Sequence, residues 1–183
     1  MKTIHFVTSN KGKFHEASRI LGARIEKMPL GIDEIQEVNV RKVAERKLDD
    51  AYGIARKPVV VEDTGLYIRE LNGFPGALVK HLEERIGVEG MIRMLAGYRD
   101  RQATAETVVG FRDSKGRKVF VSVMNGRIAR KARGRNGFGF DSIFIPEGSD
   151  KTLAEMDVDE KNGFTARGKS FRKLGAWLDR NRS

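Results

Sequence analysis

The sequence predicts an α/β fold built on a mixed β-sheet, and three observations predict it. Val59-Val60-Val61 is a continuous apolar run, the pattern of a strand covered on both faces. Helical patterns stand as crossovers around it. Two alternating segments, Ala103 to Phe111 and Val119 to Val123, are joined through Asp113-Ser114-Lys115-Gly116, the composition of a hairpin turn. Crossover helices combined with a hairpin require both parallel and antiparallel pairing in the sheet.

Taken in order, Ile4, Phe6 and Val7 read as a strand that runs into a helix whose Phe14, Ala17 and Leu21 share one face. Ile25 to Leu30 reads as a short strand, followed by the acidic stretch Asp33-Glu34-Ile35-Gln36-Glu37. Val40, Val43, Ala44, Leu48, Ala51, Tyr52 and Ala55 recur at helical steps, so a helix spans about Val40 to Ala55, with Pro58 beyond its end. The Val59 strand delivers Glu62-Asp63-Thr64-Gly65 at its C-terminal end, and Leu66 to Leu71 reads as a separate strand. Asn72 to Gly76 is a turn by its glycines and proline. Helical patterns cover Ala77 to Arg85 and Glu89 to Leu95 ahead of the hairpin. Ser142 to Ile145 is a further strand, stopped by Pro146, and the last helix starts near Thr165 and buries Phe171, Leu174, Trp177 and Leu178. Without a repeat, linker or low-complexity segment, residues 1–183 read as one domain of two lobes sharing a sheet.

Composition excludes several chemistries. No Cys is present, which removes disulfides and thiolate sites, and three scattered His (His5, His15, His81) argue against a zinc centre. Any metal is therefore expected on oxygen. No segment is long and apolar enough for a membrane span, and Met1-Lys2-Thr3-Ile4 enters a strand directly, so a cytoplasmic protein is expected. The net charge of +10 suits a polyphosphate ligand or nucleic acid. Arg127-Ile128-Ala129-Arg130-Lys131-Ala132-Arg133-Gly134-Arg135 concentrates that charge, but few aromatics interleave with it, and such runs are commonly solvated surface.

Four stretches can carry chemistry. Thr8-Ser9-Asn10-Lys11-Gly12-Lys13 joins a strand to a helix, where free amides and the positive end of the dipole meet two lysines; it is a phosphate grip or a turn capped by Asn10. Glu62-Asp63 sets two carboxylates side by side, which invites a cation such as Mg²⁺, with Glu34 as a possible third; a turn stabilised by Asp63 is the alternative. In Gly134-Arg135-Asn136-Gly137-Phe138-Gly139-Phe140-Asp141, glycines around Phe138 let backbone approach a flat ligand, while from spacing alone a turn with core phenylalanines reads better. Gly163-Phe164-Thr165-Ala166-Arg167-Gly168-Lys169-Ser170 matches the P-loop pattern letter for letter. The charged segment before it cannot be the buried strand that such a loop needs, so the match is accidental.

Together these motifs resemble the inosine triphosphate pyrophosphatase family, nearly end to end. The resemblance rests on Phe6 to Lys13, Asp33 to Gln36, Val61 to Leu66, Leu71 to Gly76, Gly137 to Phe144, Thr152 to Met156 and Glu160-Lys161-Asn162, in that order. It implies an elongated two-lobed α/β fold with the nucleotide in the cleft, usually a homodimer. It also implies Mg²⁺-dependent conversion of non-standard purine nucleoside triphosphates (ITP, dITP, XTP) and water to the monophosphate and pyrophosphate. On that pattern Thr8, Ser9, Asn10, Lys11, Gly12 and Lys13 hold phosphates, and Glu34 and Asp63 bind the metal. Asp63, with Glu62, orients or deprotonates the attacking water; Thr64 touches substrate. Lys47, or its neighbour Arg46, stands at the family's helical lysine, and Lys161 at its second lysine. Phe138, Gly139, Phe140 and Asp141 line the base pocket. Where the family usually has Ser-His-Arg, this chain has Thr165-Ala166-Arg167: Arg167 remains to donate to a 6-oxo group, whereas Ala166 offers no side-chain hydrogen bond. The rival readings are a basic RNA- or DNA-binding module and an inactive nucleotide-binding protein of the same fold.

Overall fold

The computed structural model describes residues 3–181, a seven-stranded mixed sheet flanked by helices. The strands are β1 (Ile4–Val7), β2 (Ile25–Met28), β3 (Val59–Ile68), β4 (Pro75–Gly76), β5 (Gln102–Asp113), β6 (Gly116–Ile128) and β7 (Phe144–Pro146). The α-helices are α1 (Lys11–Leu21), α2 (Val40–Ala55), α3 (Val79–Met94), α4 (Val158–Phe164) and α5 (Ala166–Arg180). The spatial order is β2-β1-β3-β5-β6-β7, with β4 also on β3. β1 pairs in parallel with β2 and β3, and the remaining pairs are antiparallel, so the mixed character expected from the crossovers and hairpin is present.

Helices cover both faces because strand side chains alternate. Val59 and Val61 face α2 and pack with Leu48 and Ala51, while Val60 faces the other way and joins Phe6, Val109, Phe111, Phe171 and Leu174 beneath α1 and α5. Asn10 and Asn39 cap α1 and α2, each accepting from first-turn amides, and Thr165 caps α5 through Gly168 N–H. The predicted bounds of α2 are met residue for residue. Phe171 and Leu174 are fully buried, whereas Trp177 is half-buried against Phe111 and Phe120.

The largest departure from expectation is β3. Where the sequence suggested two strands with a loop at Glu62 to Gly65, one ten-residue strand runs through, paired with β5 from Val59↔Arg112 to Ile68↔Ala103. The acids do not end it because the β5 ladder holds their backbone while ion pairs neutralise their side chains. Smaller differences follow from local geometry. The two helices expected between Ala77 and Leu95 are both present as the two halves of α3, which begins at Val79 and is broken at Gly87, whose φ of 64° and ψ of 173° are not helical. β2 stops at Met28, short of Leu30. Ser142 belongs to a 3₁₀ turn, and Pro146 lies inside β7, which a strand at the sheet edge accommodates. α4 forms from the charged stretch after Asp157, which caps it through Asp159 and Glu160 N–H. Of the N-terminal residues read as entering the first strand, Met1 and Lys2 lie outside the described residues, and β1 begins at Ile4. No helix among the described residues is long and apolar enough to cross a membrane.

Candidate active site

The site lies where β1 runs out and β3 continues. The last β1 pair is Phe6↔Val60, and β4 takes up that side of β3 again at Leu66↔Gly76. Between them Glu62 to Gly65 is held by β5 alone, and the turn from β1 into α1 lies beside the opening. Ligands in parallel α/β layers collect at such strand ends. Alternation then divides the acidic pair: Glu62 points to the α1–α5 face and Asp63 to the α2 face. The two carboxylates therefore do not share one cation, as the sequence had suggested.

Glu62 is fully buried in a closed cage. Thr64 Oγ1 donates to its Oε1 at 2.6 Å, Lys13 Nζ stands 3.0 Å from Oε2, and Arg167 Nε stands 3.3 Å from Oε1. Burial works to raise its pKa, but Arg167, Lys13 and Thr64 outweigh it and hold the carboxyl at about 2. A permanently charged carboxylate is an anchor for cations and a poor base. Because the single proton of Thr64 goes to Glu62, Thr107 Oγ1, 2.7 Å away, is the donor in the Thr64–Thr107 pair.

Asp63 is placed differently. Its Oδ1 accepts from Lys47 Nζ at 3.0 Å, while Oδ2 is buried with no hydrogen-bond partner among the described residues. Burial pushes its pKa up; Lys47 and Lys13 pull it back only in part, and Glu34 and Glu62 add to the rise. Lys47 Nζ also lies 2.6 Å from Glu34 Oε1, so the lysine joins the two acids predicted as metal ligands. Burial disfavours that ammonium, but Asp63 and Glu34 keep it charged, its pKa raised. Arg46 turns outward to Asp50, so of the two neighbours it is Lys47 that faces Glu34 and Asp63. No three His, Asp, Glu or Cys gather to hold a metal among the described residues. Two hard oxygen ligands and an orphaned Asp63 oxygen nevertheless fit Mg²⁺, which takes one or two carboxylates and fills its shell with water and phosphate.

A second cluster forms around Glu16, a residue the sequence reading missed. Its carboxylate accepts from Lys161 Nζ and Arg167 Nη1, both at 2.7 Å, and Lys161 also donates to Asp141 Oδ2 at 2.7 Å. Burial opposes the charge on Glu16, but Arg167 and Lys161 hold its pKa below the ordinary value. Its signal was present: Asn10, Lys13 and Glu16 repeat at three-residue spacing on one face of α1. Asp141 Oδ2 also accepts from Phe138 N–H at 2.9 Å and occupies the space that a side chain on Gly137 would need, at a φ of 81°. The loop is thus folded around its own carboxylate. Phe138 packs against Gly12, where an added Cβ would meet the ring at 2.6 Å, and Lys161 and Arg167 each approach the ring centre to 5.1 Å.

The remaining predicted residues are distributed around these two clusters. Ser9, Asn10 and Lys11 are exposed at the mouth; Thr8 Oγ1 accepts from Asn10 N–H and Asn10 Oδ1 from Lys13 N–H. The capped turn is therefore real, and it aims the first turn of α1 at the opening in the sheet. Gly139 begins the 3₁₀ turn, whereas Phe140 packs on Phe144 at 5.9 Å and supports the loop from the core side. Ala166 is buried in the core at the start of α5. In the P-loop look-alike a helix, not a strand, leads in; Lys169 is exposed, and Ser170 Oγ donates to the Thr107 carbonyl inside the core. In the basic run, Arg127 pairs with Asp150 and Arg133 with Glu155, so part of that charge is spent within the chain. A groove of about 560 Å³ lined by Tyr67, Arg69, Gln102, Thr104, Asn125 and Arg127 contains none of the predicted site residues.

Known proteins resemble this chain in sequence and in fold. The chain is 39% identical over 180 residues to a dITP/XTP pyrophosphatase of Hyperthermus butylicus, covering 97% of this chain and 95% of the relative. It is 40% identical over 186 residues to a dITP/XTP pyrophosphatase of Methanopyrus kandleri, covering 96% of each. The solved structure of a HAM1 protein from Coxiella burnetii superposes with a TM-score of 0.85 at 27% identity, covering 98% of this chain and all of that one. The sequence profile of the Ham1 family matches residues 4–177, which takes in both carboxylate clusters and every element from β1 to most of α5, and the chain belongs to that family.

Proposed function

We propose that this chain is a nucleoside-triphosphate pyrophosphatase that hydrolyses ITP, dITP and XTP to the monophosphate and pyrophosphate and so clears non-standard purines from the nucleotide pool. One observation carries the chemistry: a buried carboxylate, Asp63, is pushed toward a higher pKa, with one oxygen on Lys47 and the other unpartnered among the described residues. A carboxylate so placed is suited to take the proton of an attacking water. Lys13 and the first turn of α1 receive phosphate oxygens, and Glu62, fixed as an anion, holds Lys13 and Arg167 in position. Glu34 and Asp63 would hold Mg²⁺, which when bound supplies neutralisation of the phosphate charge and of the leaving pyrophosphate. At the base end, Phe138 offers its ring and Arg167, steadied by Glu16, directs a donor to a 6-oxo group. Adenine carries an amino donor there and would leave the arginine unmatched. The names of the relatives support this substrate class.

Hydrolysis of ITP, dITP, XTP, GTP and ATP with Mg²⁺ in ¹⁸O-water tests the reading. The expected result is pyrophosphate release fastest from ITP, dITP and XTP, with label in the monophosphate. Label confined to pyrophosphate, or release of inorganic phosphate and a diphosphate, would overturn it. We further read the protein as a cytoplasmic homodimer of one domain; a monomeric mass by light scattering would remove the dimer.

A further inference from the structure

Lys47 occupies an unusual position for a residue expected to bind phosphate. Its ammonium is already shared by Glu34 Oε1 at 2.6 Å and Asp63 Oδ1 at 3.0 Å, the two groups suited to the metal, and its side chain is only 13% exposed. Its backbone cannot drift, because Val43, Ala44, Leu48 and Ala51 on the same helix are buried against the sheet. The other cations of the site are engaged elsewhere: Lys13 on Glu62, Lys161 on Glu16 and Asp141, and Arg167 on Glu16 and Glu62. Four cations thus face the five carboxylates Glu16, Glu34, Glu62, Asp63 and Asp141, so within these ion pairs no surplus positive charge remains for a ligand of about four negative charges, and Lys11 stands outside them, exposed at the mouth.

Resting on the metal-assisted reading above, we propose that Lys47 is the resident counter-ion of the metal site, competing with free divalent cations for Glu34 and Asp63 and yielding them only when nucleotide phosphates receive its ammonium. A bare cation on the remaining oxygens of Glu34 and Asp63 stands against the Lys47 ammonium and weakens both of its ion pairs, leaving a mostly buried positive charge poorly compensated, which is unfavourable. When a triphosphate is present, the same ammonium exchanges carboxylate oxygens for phosphate oxygens. Metal and nucleotide therefore bind with positive coupling, each strengthening the other by the same factor.

The test is Mn²⁺ binding without nucleotide, read as loss of the free-ion electron paramagnetic resonance signal, for the wild type, Lys47→Met, Lys47→Gln and the double variant Lys47→Met with Glu34→Gln. Lys47→Met should bind Mn²⁺ at least about tenfold more tightly than the wild type, and the double variant should lose that gain. Adding an α,β-methylene ITP analogue to the wild type should tighten Mn²⁺ binding by about tenfold beyond the affinity of the analogue alone. Circular dichroism establishes which lysine variants are folded, and either one suffices. Equal or weaker Mn²⁺ binding by a folded lysine variant overturns the counter-ion role. A wild type that hydrolyses ITP unimpaired in excess EDTA would instead remove the metal reading on which the role rests.

Discussion

Replacing Glu62 by Gln keeps the shape of the side chain and removes its charge, which isolates the electrostatics of the cage. The carboxyl has no exposed surface, and its pKa of about 2 reflects burial first, which opposes the charge, and then Arg167, Lys13 and Thr64, which overcome it. The sign of the linkage follows from the depressed value. Above the ordinary 4.5 the group is charged in both states and its native contacts contribute fully; as pH falls from 4.5 toward 2, the unfolded chain takes up the proton first and that stability is lost. A displacement of this size corresponds to ~3 kcal/mol at neutral pH. In Glu62→Gln, Thr64 still has an oxygen to donate to and Arg167 still has Glu16, so a loss of ~3 kcal/mol is expected, without collapse of the fold. For a chain of this length that lowers the melting temperature by ~6–12 °C. Urea denaturation of both proteins at a series of pH values measures it directly. The gap should be widest at neutral pH and narrow below about pH 4.5. A gap that is constant down to about pH 3, or absent at neutral pH, would refute the cage.

Three further outcomes are expected. Asp63→Asn should reduce kcat for ITP by ~10³-fold while the urea midpoint stays near that of the wild type, and retained turnover would defeat the role of Asp63 as base. Arg167→Ala should raise KM for ITP and shrink its advantage over ATP by ~1–3 kcal/mol in kcat/KM; unchanged selectivity would take Arg167 out of base recognition. Gly12→Ala drives a methyl group into the Phe138 ring, a conflict of ~1–3 kcal/mol, so KM should rise, and pairing it with Phe138→Leu should recover part of the loss. Equal KM values for Gly12→Ala and the wild type would show that Phe138 yields freely and does not shape the site.

Much of the fold was legible because its signals are short-range. The helical spacing of Val40 to Ala55, the Asn10 cap and the hairpin turn at Asp113 to Gly116 are each written within about one helical turn or strand of sequence. β3 was misread for the same reason: locally, Glu62-Asp63-Thr64-Gly65 has the composition of a turn, and only the β5 ladder and three distant cations make it strand. The strand read over Ser142 to Ile145 shifted to Phe144–Pro146 because strand ends depend on the partner β6, not on Pro146 itself.

The sequence alone determined which residue types gather at the candidate site: a capped strand-to-helix turn with Lys13, an acidic pair at Glu62-Asp63, a glycine-bounded Phe138 and a retained Arg167. Their order along the chain was enough to place the family. Tertiary structure decided the surroundings in which each of them sits. Alternation along β3 sends Glu62 into a cage of three donors that keeps it charged and Asp63 to the opposite face, where Lys47 alone meets it and one oxygen has no partner among the described residues, although the two are neighbours in sequence. Glu16 finds Lys161 across 145 positions and Arg167 across 151. The pKa of a carboxylate is set by burial and by charges within a few ångströms, and those distances exist only once the sheet and its helices have closed around it.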